Sequence, residues 1–133
     1  MWFVAHSEYA LTIANPIALI AAIILAAAGI FVSASAIRQF KTAETTISPL
    51  QPDSATSLVH TGIFGKTRNP MYVGLFLILL GWAVWLQSMS NAVILLAFVL
   101  WLTELQIKPE EAALRKVFGQ GYIDYCKRVR RWI

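Results

Sequence analysis

A chain of 133 residues in which 58% are hydrophobic and only 14% are charged has too much apolar surface for a soluble domain of its size, so a bilayer is the expected environment. Its net charge of +4 comes from cations set beside apolar runs, without the aromatic platforms that nucleic-acid binding needs, which excludes nucleic acid as the expected partner and favours membrane lipids. The single cysteine, Cys126, excludes an intramolecular disulfide and a cysteine-based metal cluster.

No basic region of a cleavable signal peptide precedes the first apolar run, which is uncharged from Tyr9 to Ile37 and long enough to stay in the membrane. Asn15-Pro16 reads as a helix start, with Asn at the cap and Pro at the first helical position. A helix over 16–37 follows, with about the 20 residues needed to cross a hydrocarbon core of about 30 Å. Its small residues Ala26, Ala27, Ala28 and Gly29 suit close helix contact.

Pro49, Pro52, Gly62 and Gly65 make a continuous helix over 38–69 unexpected, and a connection of this length implies function or folding around a ligand. The next uncharged run, from Asn69 to Thr103, is divided by Gln87-Ser88-Met89-Ser90-Asn91 and predicts a helical hairpin with crossings over 71–86 and 91–105. Gly74 and Gly81, seven apart, fall on one face of its first helix and permit helix contact. Pro109-Glu110-Glu111 predicts a new helix, its acids favoured at the positive end of the dipole. After Gly119 and Gly121, the residues Tyr122, Tyr125, Val129 and Trp132 recur at three- and four-residue spacing opposite Lys127, Arg128, Arg130 and Arg131. That pattern predicts an amphipathic helix whose aromatic stripe lies at a membrane interface.

All eleven Lys and Arg lie in 38–68 or after Thr103. The positive-inside rule therefore predicts an all-α integral protein of the inner or plasma membrane, with 38–69 and 106–133 cytoplasmic in a single domain over 1–133. Lys66 and Arg68 read as headgroup anchors, His60 as a loop residue, and Glu111 as an acid supporting a helix start.

The segments Leu58-Val59-His60-Thr61-Gly62-Ile63-Phe64, Arg68-Asn69-Pro70-Met71-Tyr72-Val73-Gly74, Glu110-Glu111-Ala112-Ala113-Leu114 and Phe118-Gly119-Gln120-Gly121-Tyr122, in this order and spacing, resemble the isoprenylcysteine carboxyl methyltransferase family, whose relatives include phospholipid N-methyltransferases. The resemblance covers about residue 38 onward. It implies an S-adenosylmethionine-dependent membrane methyltransferase whose lipophilic small-molecule or lipid acceptor enters from the bilayer. The implied cofactor contacts are Thr56, Ser57, Leu58, Val59, Phe64, Asn69, Pro70, Met71, Tyr72 and Glu110. Phe64 stands where many members have Tyr, and Asn69 where eukaryotic members have His. Gln106 stands where prenylcysteine-specific members carry a substrate-contacting Arg, which argues against a prenylated protein C-terminus as the acceptor and puts Gln106 on the acceptor side. Glu104, an acid near a membrane boundary, is a second acceptor-side candidate, and Arg38 is expected to orient the acceptor. The resemblance also implies fewer N-terminal helices than eukaryotic members have, leaving a homo-oligomer as a means to complete a lipid-facing cavity. The competing reading is a non-catalytic membrane scaffold or small transporter subunit, against which stands the lack of ionisable groups in the middle of the expected hairpin.

Overall fold

A computed structural model describes residues 15–44 and 57–133, and every regular element among them is helical. Helix α1 spans Pro16–Thr42; its start is fixed by the Asn15 side chain, whose Oδ1 accepts from the amides of Ile17 (3.1 Å) and Ala18 (3.4 Å). The helix continues beyond the expected end at 37, its last turns held by one contact from outside and one hydrogen bond within the helix. Phe40 packs edge-on against Phe64 with ring centroids 5.0 Å apart, and Thr42 Oγ1 donates back to the Arg38 carbonyl. Arg38 therefore lies inside the final turns rather than at the helix end.

A 3-10 turn, Gly62–Gly65, leads into α2, Pro70–Leu86, which ends at Gln87 in the left-handed region (φ 51°). After a short turn come α3, Ser90–Leu102, a π turn, Thr103–Ile107, and α4, Lys108–Phe118. These three form one continuous helix of 29 residues, where the sequence predicts a break near 105 and a fresh start at Pro109. Pro109 has no N–H for the Leu105 carbonyl, and the wider π turn just before it absorbs that misfit without a break: the Lys108 amide reaches back five residues to the Thr103 carbonyl. Gly119, at φ 55° and ψ −127°, turns the chain into α5, Gln120–Arg128. A non-glycine residue avoids that conformation, so the interruption expected there is realised at Gly119, while Gly121 lies within α5.

Two helices, Pro16–Thr42 and Ser90–Phe118, are long and apolar enough to cross a membrane, and the apolar Pro70–Leu86 is shorter, at 17 residues or about 26 Å. Helices α1 and α2 meet through the small residues. A Cβ on Gly74 would stand 2.6 Å from the Gly29 carbonyl oxygen and collide with the Ser33 side chain; one on Gly81 would stand 2.8 Å from the Ala22 carbonyl. The outward side chains of α1, among them Ile17, Ile20, Ile24 and Phe31, are exposed, as a lipid-facing surface requires.

A second packed region lies beside the segment that precedes α2, where Tyr122, Tyr125 and Val129 are buried with Leu58, Leu114, Phe118 and Cys126 around them. This corrects the expectation of a membrane-interface stripe. The aromatic face of α5 is spent inside the protein, because Leu58 and Phe118 supply an apolar partner and the Phe64 carbonyl accepts the Tyr125 hydroxyl at 2.7 Å.

Candidate functional site

The segment 57–69, the start of α2 and the polar half of the long helix converge at one end of the fold. Five of the eleven residues of Lys108–Phe118 are charged, which places α4 beyond any hydrocarbon span. Its adjacent acids sit in opposite surroundings. Glu110 is half-buried, and one of its oxygens, Oε1, accepts from the Tyr72 hydroxyl (2.5 Å) and from Gln106 Nε2 (2.6 Å). Both donors are neutral, and no cation pairs with Glu110 among the described residues. Burial raises the Glu110 carboxyl above the ordinary carboxylate range, and the two hydrogen bonds only partly oppose it.

Glu111, at 5% exposure, is fully compensated. Arg131 grips it with two bonds, Nε to Oε1 at 2.9 Å and Nη2 to Oε2 at 2.8 Å, and Arg68 Nη2 stands 3.4 Å from Oε1. Burial alone would raise this carboxyl, but the Arg131 hydrogen bonds and the charges of Arg68, Arg131 and Arg115 outweigh it and hold the group below its ordinary range.

Of the residues expected to form a site, the fold brings Tyr72, Gln106 and Glu110 together through hydrogen bonds to Glu110, although Gln106 lies 34 positions beyond Tyr72 in the chain. Asn69 and Pro70 open the turn that carries Tyr72: the Asn69 carbonyl accepts from the Tyr72 and Val73 amides, and its Nδ2 donates to the Arg131 carbonyl at 2.9 Å. Pro70 is buried and Met71 half-buried in that turn. Phe64 is buried between Phe40 and Tyr125, and Leu58 packs on the tyrosine cluster. Val59 is half-buried, and Ser57 Oγ donates to the Ala43 carbonyl at 3.0 Å. Thr56 lies outside the described residues. Glu104 pairs with Lys108 on an exposed face (2.6 Å), and Arg38 is exposed on α1.

Sequence reasoning missed the Glu111 network. Arg68 is no surface anchor: its side chain is 10% exposed, bonded to Cys126 Sγ at 2.6 Å and facing Glu111. Glu111 does more than support a helix start, and Arg131 is more than part of a basic face. No local period links positions 68, 111 and 131. The one available hint was an acid pair beside an otherwise basic segment.

The fold defines a helical protein with two helices long and apolar enough to cross a membrane and a polar cluster at one end of the helices. The sequence profile of the phospholipid methyltransferase family matches residues 17–121, and the chain belongs to that family. It is 40% identical over 63 residues to an uncharacterized protein of Haemophilus influenzae, a match covering 47% of this chain and 100% of that protein. It is also 38% identical over 73 residues to the protein-S-isoprenylcysteine O-methyltransferase of Schizosaccharomyces pombe. That match covers 54% of this chain and 30% of the yeast enzyme, so the two share less than a third of the enzyme's length. No solved structure matches the chain. Membership in a methyltransferase family agrees with the resemblance carried by the motifs and supports an enzyme.

Proposed function

We propose that this chain transfers a methyl group from S-adenosylmethionine to a lipophilic acceptor at the cytoplasmic face of a membrane, with α2 as a third crossing. The observation that carries the proposal is the uncompensated Glu110 carboxylate. A half-buried acid held by two neutral donors, with its Oε2 outside both hydrogen bonds, is suited to a cationic group or a pair of hydroxyls. S-adenosylmethionine has both and supplies, when bound, an electrophilic methyl group on a positively charged sulfur. The chain's own part is to hold and dehydrate. Glu110 binds, Tyr72 and Gln106 fix its orientation, and the half-buried Leu58 and Val59 supply apolar side chains for a flat ring. Positioning and water exclusion then carry the rate, as a displacement at carbon needs no metal.

The test is binding of labelled S-adenosylmethionine to purified protein in detergent. Glu110→Gln keeps the shape and removes the charge, so affinity should fall by about 1.5–3 kcal/mol, on the order of 10–100-fold. Wild-type protein that fails to bind, or a folded Glu110→Gln variant with unchanged affinity, removes the assignment.

A further inference from the structure

Val129 leaves the helical conformation for an extended one (φ −123°, ψ 131°), so the carbonyls that follow are free to bond elsewhere. They are used at once. The Arg130 carbonyl accepts from the Arg68 amide at 3.0 Å, and the Arg131 carbonyl accepts from Asn69 Nδ2 at 2.9 Å and Thr67 Oγ1 at 3.3 Å. Trp132 Nε1 reaches Thr103 Oγ1 at the π turn (3.3 Å). Residues 129–132 thus form a strap across the segment before α2 and the long helix. Arg131 belongs to both sides of it. Its backbone holds Asn69, whose own carbonyl starts the turn bearing Tyr72, and its side chain holds Glu111, the neighbour of Glu110.

We propose that Arg131 is a positioning residue, which sets the register between the start of α2 and α4 and thereby the distance between Tyr72 and Glu110. This role rests on the methyl-donor reading for its consequence, though its geometry stands independently. Neither Tyr72 nor Glu110 is fixed by a shared element: one lies on α2, the other on α4, and their direct bond is the short link between those helices at this end. A bidentate guanidinium with a committed carbonyl fixes distance and angle together, which a flexible ammonium does not.

The experiment pairs hydrogen exchange with binding of labelled S-adenosylmethionine, on wild type, Arg131→Gln, Arg131→Lys and the exposed charge control Lys127→Gln. In Arg131→Gln the amides of Arg68 and Tyr72 should exchange at least about tenfold faster, and cofactor affinity of the folded protein should fall about tenfold, each corresponding to about 1.4 kcal/mol. Arg131→Lys should restore part of both, and Lys127→Gln should change neither. If Arg131→Gln does not fold, Arg131→Lys carries the test by the same two readouts. Unchanged exchange at Arg68 and Tyr72 overturns the strap. Faster exchange with unchanged affinity overturns the link to the site. A wild type that fails to bind S-adenosylmethionine brings down the methyl-donor reading, and with it the functional consequence, while the exchange data still decide the register.

Discussion

Two adjacent carboxylates with opposite surroundings should respond oppositely to the same substitution. Glu111→Gln leaves Arg68, whose side chain is 10% exposed, and Arg131, 33% exposed, facing a neutral amide. Removing one partner of a buried pair costs about 3–5 kcal/mol; Arg131 can recover part of its hydration, so the lower end, about 3 kcal/mol, is expected. Glu110→Gln keeps an oxygen for Tyr72 and Gln106 and removes a charge that burial disfavours, so stability near neutral pH should stay within about 0.5 kcal/mol or rise. The pH dependence separates them further. The Glu111 carboxyl is held below its ordinary value of 4.5, so its stabilisation is present above that value and is lost as pH falls through the folded value. The Glu110 carboxyl is raised, so its contribution is complete below 4.5 and is lost as pH rises through the folded value. Denaturant titration in detergent across acidic to neutral pH measures both effects. Equal losses in the two variants, or a larger loss in Glu110→Gln, would show that the compensation of the two charges has been wrongly assigned.

Gly74→Ala should destabilise the α1 and α2 contact by about 1–3 kcal/mol, because the added methyl meets the Gly29 carbonyl and Ser33; thermal unfolding at the wild-type level would show that the helices separate freely there. Arg38 is exposed on α1, where a role in orienting an anionic acceptor competes with simple headgroup anchoring. Arg38→Lys should lower methyl transfer to membrane extracts of the source cells on the order of 10²-fold with cofactor affinity nearly intact if it orients, and an unchanged rate assigns it to anchoring.

The helical class, the starts at Asn15-Pro16 and near Pro70, and the small-residue contact through Gly29, Gly74 and Gly81 were legible because local chemistry determines them: a cap, a fixed φ, a missing Cβ. The meeting of Tyr72 with Glu110 was anticipated only through the family motifs, since no periodicity relates residues on two helices. Three features were misread for a common physical reason. The tyrosine stripe of α5, the position of Arg68 and the continuity through Pro109 each depend on what a neighbouring segment supplies. An amphipathic face does not say whether lipid or protein covers it, and Leu58 with Phe118 decided that here. A proline does not say whether the helix breaks or widens, and the π turn at Thr103–Ile107 decided that.

The same dependence explains why the polar chemistry is concentrated where it is. In the apolar helices, close approach rests on glycine, and a charged group would have no partner to offset its dehydration. At the start of α2 the chain leaves the apolar span, and Arg68 and Arg131 together compensate the buried Glu111 in a network that keeps one net positive charge. With that network carrying the structural charge, Glu110 does not have to pair with a cation of the protein to keep the helices together. Its carboxyl stays half-buried and raised, held in direction by Tyr72 and Gln106, which is the state the proposed binding of a cationic ligand requires. On the proposed reading the acid pair divides its labour between neighbours, Glu111 holding the register and Glu110 binding the methyl donor.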